Sequence, residues 1–365
     1  MKKIQNILKA SKNKLFLLAM VFGITSANAQ MSGSYTIDAT QAASATNFVS
    51  WTAFATAFNA AAITGPVTVD VKSSINNGTA FVTLNANAGS NSTNTLTING
   101  NNTTMTYTST YAALRLNGVD YMTIKNMTIE NTNTTPGAIW ITNQSDYNTI
   151  DNVTMYLSAN TSATSGAYYV AMSTSVSSPS STGSAATGIS GQPGIGNTIS
   201  NCLMYTQSGG VGPYYGITMN GNTSNYTTTA QNNTATGNTI KNFYYYGIYQ
   251  AYTNGNVIKN NDISRVNATS GGSATLYGIY SSYSYCANRS SEINNNNIHD
   301  LPFTGATTAT SNLSSYYLIY NYYPYGNASI QSKWMETLVK PFVQHRALLM
   351  VFMPITHSIF LSVTT

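Results

Sequence analysis

Charge is scarce in this sequence: Asp, Glu, Lys and Arg make up 7% of its 365 residues. Solvent-facing positions must be filled by Ser, Thr, Asn and Tyr instead. Cysteine is nearly absent. Cys202 and Cys286 stand alone, which excludes a disulfide scaffold, and no Cys/His spacing of the metal-binding kind occurs. Net charge is absent too, once the first residues are set aside. The chain has 15 basic and 10 acidic residues, but positions 1–29 hold five of the basic ones and no acid. The remainder is balanced at zero, so neither nucleic acid nor an anionic membrane is an expected partner.

Those first residues read as a secretory signal peptide. Lys2, Lys3, Lys9, Lys12 and Lys14 form a positive start, Leu15 to Ile24 is a short apolar run, and Ala27-Asn28-Ala29 matches a small-x-small cleavage site. Export places the chain outside the cell, secreted or on the outer surface, with no membrane span beyond the leader. There Cys202 and Cys286 could oxidise. The repeat described next puts them two or three layers apart, on the order of 10–14 Å at ~4.8 Å per layer. That is too far for a bridge, so two separate, mostly buried thiols are expected.

What the chain has in abundance is a short device, Ile-x-Asn. It occurs as Ile124/Asn126, Ile150/Asn152, Ile199/Asn201, Ile240/Asn242, Ile258/Asn260 and Ile293/Asn295. Each opens a block x-Ile-x-Asn-x-x-apolar, whose last position is Ile129, Met155, Met204, Tyr245, Ile263 or Ile298. Upstream lies another short strand, in Leu114-Arg115-Leu116, Ile139-Trp140-Ile141 and the Tyr-Gly-Ile copies at 215–217, 246–248 and 277–279. A further copy, Tyr317-Leu318-Ile319, follows. No single unit carries enough apolar surface to fold alone, and stacking the units buries one continuous core. The pattern predicts a parallel β-helix of about seven to eight coils spanning 67–331, with equivalent positions stacking layer on layer. In it the six asparagines take a left-handed corner, which Asn tolerates better than other non-glycine residues, and form a side-chain ladder. Insertions leave at the turns, the longest around Ser173–Gly196.

Residues 30–66 form an N-terminal segment ending in a helix over Phe48–Ala62. Trp51, Phe54, Ala55 and Phe58 share one face, and Thr64-Gly65-Pro66 stops it. Laid over the open end of the solenoid, this helix would cap an exposed strand layer. Val67, Val69 and Val71 then alternate as the first strand of the coils. From Ser332 the composition changes. Residues 332–365 contain no Asn, and Pro341, His345, Arg346, Pro354 and His357 break any spanning segment. This atypical tail reads as a truncated or frame-shifted end in which the coil pattern does not survive.

The stretch LRLNGVDYMTIKNMTIENT at 114–132 resembles the right-handed parallel β-helix repeats of the pectate-lyase-like superfamily. The segment at 33–71 resembles the start of secreted β-helix proteins of the Bacteroidetes, which carry a C-terminal sorting domain for type IX secretion. The resemblance implies the right hand, in keeping with the general preference for right-handed crossovers, and it implies export. Pectin-degrading members raise the question of catalysis. The hydrolases' paired aspartates and Gly-His-Gly are missing. Lyases of this shape use Asp/Glu clusters for calcium and an Arg or Lys as base. Here Asp120 and Asp146 each precede an anchor isoleucine by four residues in adjacent coils. In register they stack, a spacing that invites Ca2+, with Arg115 on the preceding strand as the sole catalytic candidate. The competing reading makes both aspartates turn caps. Lys125 over Asp151 reads as a surface ion pair, and His299-Asp300 as a polar turn.

Tyrosine is the other abundance, 27 residues. Period two, with Ile248, Ile279 and Ile319 inward, turns Tyr249, Tyr280 and Tyr320 outward. Trp140 and Arg115 take the same slot in earlier coils. The same parity places Tyr246, Tyr277 and Tyr317, and Tyr252, Tyr283 and Tyr323, inward. An outward aromatic column with amides nearby suits sugar rings, or serves as a tyrosine ladder that stabilises the sheet. The functions this leaves are a non-catalytic carbohydrate-binding or adhesin-like module, acting as a monomer on an extracellular polysaccharide or glycan, a calcium-dependent polysaccharide lyase, and a structural stalk.

Overall fold

The computed structural model describes residues 29–339 except 109–111, 134–136, 159–165, 174–193, 207–211, 222–230, 267–274, 287–290, 302–314, 323–324, 327–332 and 336–337. The predicted signal peptide except Ala29, most of the Ser173–Gly196 insertion, Tyr323 and the tail beyond 339 lie outside the described residues. Among the described residues the chain is all-β with one helix, and two long parallel sheets hold its strands, one of 18 and one of nine. Every strand pairing between named strands is parallel, and along the coils each joins residues from successive repeats, the arrangement of a β-solenoid.

One spacing organises the larger sheet. Ile124, Ile150, Ile199, Ala235, Ile258 and Ile293 stack in one column. Ile129, Met155, Met204, Ile240, Ile263 and Ile298 stack in a second. Within each layer the two positions are five residues apart, and all but the slightly exposed Ile293 are fully buried. Ile240 therefore belongs to the second column. The Ile240/Asn242 pair mimics the anchor in sequence but is one column out of register. The true anchor of that layer is Ala235, its corner residue is Gly237, and Ile240, not Tyr245, fills the second apolar slot.

Between the columns the chain turns a corner. Asn126, Asn152, Asn201, Asn260 and Asn295 have φ between 50° and 56°, and Gly237 has 66°. The left-handed role predicted for five of the six asparagines is thus present, and the sixth is taken by glycine, which adopts this conformation without a Cβ penalty. A second left-handed column precedes the anchors: Tyr121, Tyr147, Gly196, Asn232 and Gly255.

The side-chain ladder falls on other asparagines. Asn126 donates to Asn99 (3.0 Å) and Asn152 to Asn126 (2.9 Å), but Asn201 turns to Asp151 (2.8 Å). Two continuous, fully buried ladders run instead through the residues that follow the left-handed corners. Asn148, Asn197, Asn233 and Asn256 form one; Asn238, Asn261 and Asn296 form the other, below Cys202. Their geometry repeats. The Oδ1 of Asn197 accepts the backbone N–H of Asn148 (3.0 Å), and its Nδ2 donates to the carbonyl of Ser145 (2.8 Å). The Oδ1 of Asn238 accepts from Cys202 N (3.1 Å) and its Nδ2 donates to Ile199 O (2.9 Å). Asn261 and Asn296 do the same to Asn238 with Ala235, and to Asn261 with Ile258. Each amide closes the turn of the layer before it and satisfies the corner's N–H and C=O, which are buried and cannot reach water.

At the front, the helix α1 is Trp51–Ala60, five residues shorter than the Phe48–Ala62 that the pattern suggested. Ser50 caps it by accepting from Ala53 N, and Asn87 closes its other end by donating to Phe58 O and Ala61 O. Trp51, Phe54, Ala55 and Phe58 are buried, as read from the sequence. The difference is at Thr64-Gly65-Pro66. This triplet lies inside a strand, Ala61–Val71, that pairs with Ala29–Ile37. The register shifts between Met31 and Gly33, opposite Ile63 and Val67, so Pro66 falls in an irregularity where no ladder N–H is required. At the back, pairing continues beyond 332. Lys333–Met335 pairs with Glu292–Asn294, Leu338–Val339 pairs with Asn297–Ile298, and Trp334 and Val339 keep the five-residue spacing. The coil pattern thus survives the change of composition for one more layer, because backbone pairing does not require the asparagine.

The ladders predict an asymmetry between asparagines. Asn238→Ala orphans a buried N–H and a buried C=O at about 1–3 kcal/mol each, whereas Asn152→Gly keeps its corner and stays within about 0.5 kcal/mol of the parent. Urea unfolding of the two variants measures the difference.

Candidate functional site

The nine-stranded sheet presents the tyrosines, and a break in parity decides which. In Gly137–Thr142, Ala138 and Ile139 both enter the main core, as do Tyr169 and Val170 in Tyr168–Met172. Two consecutive residues point inward, so the residue before them points outward. In the Tyr-Gly-Ile copies the glycines occupy the first inward position. A Cβ on Gly247 would lie 2.6 Å from Ile263 Cγ2, and one on Gly278 would lie 2.7 Å from Ile298 Cγ2. The next layer's carbonyl lies closer still, Gly278 O at 2.5 Å from the first and Leu318 O at 2.6 Å from the second, so that backbone and the opposite wall together leave room only for glycine, and each preceding tyrosine is turned out. Tyr246, Tyr277 and Tyr317 therefore share the outer face with Tyr249, Tyr280 and Tyr320, contrary to their expected inward position.

Two aromatic columns result. Tyr249 and Tyr280 stack at 4.9 Å with parallel planes, and Tyr280 and Tyr320 at 5.2 Å. Tyr215, Tyr246, Tyr277 and Tyr317 follow one another at 5.3, 5.1 and 4.8 Å. The columns meet edge to face, Tyr246 against Tyr249 at 5.0 Å and Tyr277 against Tyr280 at 5.3 Å. Parallel planes in contact lie ~3.5–4 Å apart, so rings whose centres are 4.9 Å apart are offset and each covers only part of the next face. Burial raises the phenol pKa values of Tyr246, Tyr249, Tyr277, Tyr280 and Tyr320, with the neighbouring phenols adding to it. The hydroxyls stay protonated donors across the physiological range.

Trp140 and Arg115 occupy the same slot at the other end of the sheet. Trp140 is 8% exposed, packed with Ala112, Tyr168 and Ala171, and donates its Nε1–H to Ser173 O (3.1 Å). It offers no open platform. Its neighbours on the outer face, including the Arg115 guanidinium 4.4 Å above its ring, cover it. Arg115 also donates to Asn117 (3.1 Å), so it is engaged beside the tryptophan and not with the aspartates.

Asp120 and Asp146 stack in register but act on backbone. Asp120 accepts the N–H of Asp146 (2.8 Å), and Asp146 accepts the N–H of Ile195 (2.8 Å). Both are half-buried, and desolvation raises both pKa values above the ordinary carboxylate range. Among the described residues no group of three or more His, Cys, Asp or Glu side chains gathers to hold a metal. Lys125 lies over Asp151, whose carboxylate is taken by Ser200 (2.7 Å) and Asn201. His299 bridges two carboxylates, Asp300 (2.7 Å) and Asp262 (2.9 Å), a contact between layers that its reading as a lone turn missed. No described serine or cysteine contacts it as a nucleophile. Cys202 is free and buried, its thiol pushed up to about 12 by desolvation. Cys286 ends the strand Thr275–Cys286, and its side chain lies outside the described residues. No described helix is long and apolar enough to cross a membrane. Against known proteins, no family model and no curated protein matches this sequence.

The two aspartates make a test of capping against cation binding. A carboxylate whose folded pKa is raised binds protons more readily folded than unfolded, so its contribution to stability grows as pH falls through the folded pKa and is lost again as pH rises. Asp120→Asn and Asp146→Asn keep an acceptor for each amide without the charge. The double variant is expected to melt at or above the parent at pH 7 and to lose that acid-side gain, read as Tm against pH. A calcium-dependent rise in parent Tm that the variant lacks would instead favour the cation site.

Proposed function

We propose that this chain is a non-catalytic, secreted or cell-surface protein of carbohydrate-binding or adhesin-like type, built as a right-handed parallel β-helix of about seven to eight coils with α1 as its N-terminal cap. The observation that carries the reading is the tyrosine face. Two columns of rings run across successive layers without an intervening charge in the Tyr249, Tyr280, Tyr320 register, and partly open aromatic faces beside protonated hydroxyls suit the C–H faces and hydroxyls of a neutral glycan. The contacts of α1 with Ala29–Ile37, Asn47–Phe48, Ala61–Val71 and Val82–Asn85 support its capping role. The low charge and the signal-like leader support export. The ligand surface is Tyr249, Tyr280 and Tyr320, with the adjoining Tyr246 and Tyr277, and without Trp140.

The lyase alternative has less support: Asp120 and Asp146 each serve a backbone amide, and Arg115 serves Trp140. Retention on insoluble polysaccharides separates the readings. Two stacking rings at about 1 kcal/mol each make Tyr249→Ala with Tyr280→Ala weaken retention roughly thirtyfold, with the far-ultraviolet circular dichroism unchanged. Calcium-dependent release of unsaturated products from polyuronates would favour the lyase. Neither retention nor release would leave a structural stalk.

A further inference from the structure

Tyr252 and Tyr283 lie one above the other in adjacent layers. Their neighbours pair on both sides, Ala251 with Ser282 and Thr253 with Ser284. Both hold a left-handed backbone, φ 54° and 48°, a conformation uncommon for bulky side chains. The shared conformation gives both rings the same direction. Their centres are 4.6 Å apart and their planes 7° apart. Both side chains are half-buried, so a small reagent reaches them.

We propose that this pair is a site of oxidative cross-linking, in which one-electron oxidation joins an ortho carbon of Tyr252 to an ortho carbon of Tyr283 and ties two layers together covalently. The oxidant class is a peroxide used by a haem peroxidase. Each phenol gives up one electron and one proton and becomes a phenoxyl radical. The two radicals form the C–C bond, and the ring hydrogens move to oxygen to restore both aromatic systems. Two phenols and one hydrogen peroxide yield one biaryl and two waters. The ring centres of a joined biaryl are separated by two ring radii and one C–C bond, close to the present separation. Coupling therefore asks for rotation of the rings in place, without a shift of the paired strands.

The full chain, dilute enough to remain monomeric, is treated with hydrogen peroxide and a haem peroxidase beside Tyr283→Phe. That variant keeps the ring and its stack but cannot form the phenoxyl radical. The expected result is blue dityrosine fluorescence, a monomer lighter by two hydrogens, and a digest in which the peptide carrying Tyr252 is joined to the one carrying Tyr283. Tyr283→Phe loses that joined pair. No link within the monomer, links only between molecules or only at other tyrosines, or survival of the same joined pair in Tyr283→Phe would each overturn the proposal.

Discussion

The structure depends on one hydrogen-bonding problem and its solution. A coil that bends sharply inside a stack leaves an N–H and a C=O at its corner, shut away from water by the layers above and below. Leaving either unpaired costs about 1–3 kcal/mol. The buried asparagines of each ladder offer one acceptor and one donor at the spacing the preceding turn requires, as Asn197 does for Asn148 and Ser145, and Asn238 for Cys202 and Ile199. Shorter polar side chains do not span both groups, and a carboxylate lacks the donor. Serine stands in at Ser291, whose Oγ accepts the N–H of Gly255.

The outer face follows from the core. Because the next layer's carbonyl and, from the opposite wall, Ile240, Ile263 and Ile298 crowd the first inward position in three layers, it is reduced there to Gly216, Gly247 and Gly278. That double inward step turns the preceding tyrosines to the surface, where they stand at the strand spacing. Aromatic density on this face is thus a consequence of packing on the other side of the backbone. Its rings pack against one another both along and across the columns.

Much of this was legible from short-range signals. Ile-x-Asn marked the left-handed corners because Asn tolerates φ > 0, and Trp51, Phe54 and Phe58 marked the helix by their period. What misled was always a long-range matter. Ile240-Lys241-Asn242 has the local form of an anchor, yet Ala235 takes that place because the layers on either side set the register. Thr64-Gly65-Pro66 has the form of a helix stop, yet it lies in a strand because Ala29–Ile37 pairs with it. The ladder asparagines carried a signal of their own, Asn-x-Ile, in Asn148, Asn197, Asn238, Asn256, Asn261 and Asn296. It differs from the corner signal only by lying before the isoleucine instead of after it.

The amino-acid sequence by itself determined a stack of short parallel strands with buried isoleucines, left-handed asparagine corners and an uncharged, tyrosine-rich surface, since each of these rests on what a residue tolerates in its own backbone and on period. Only the tertiary structure decided which asparagines are buried, which tyrosines face outward, and that Asp120, Asp146 and Arg115 are engaged with amides and an indole. Those outcomes are fixed by the neighbouring layer, whose residues lie some 23 to 50 positions away and whose register no local pattern contains.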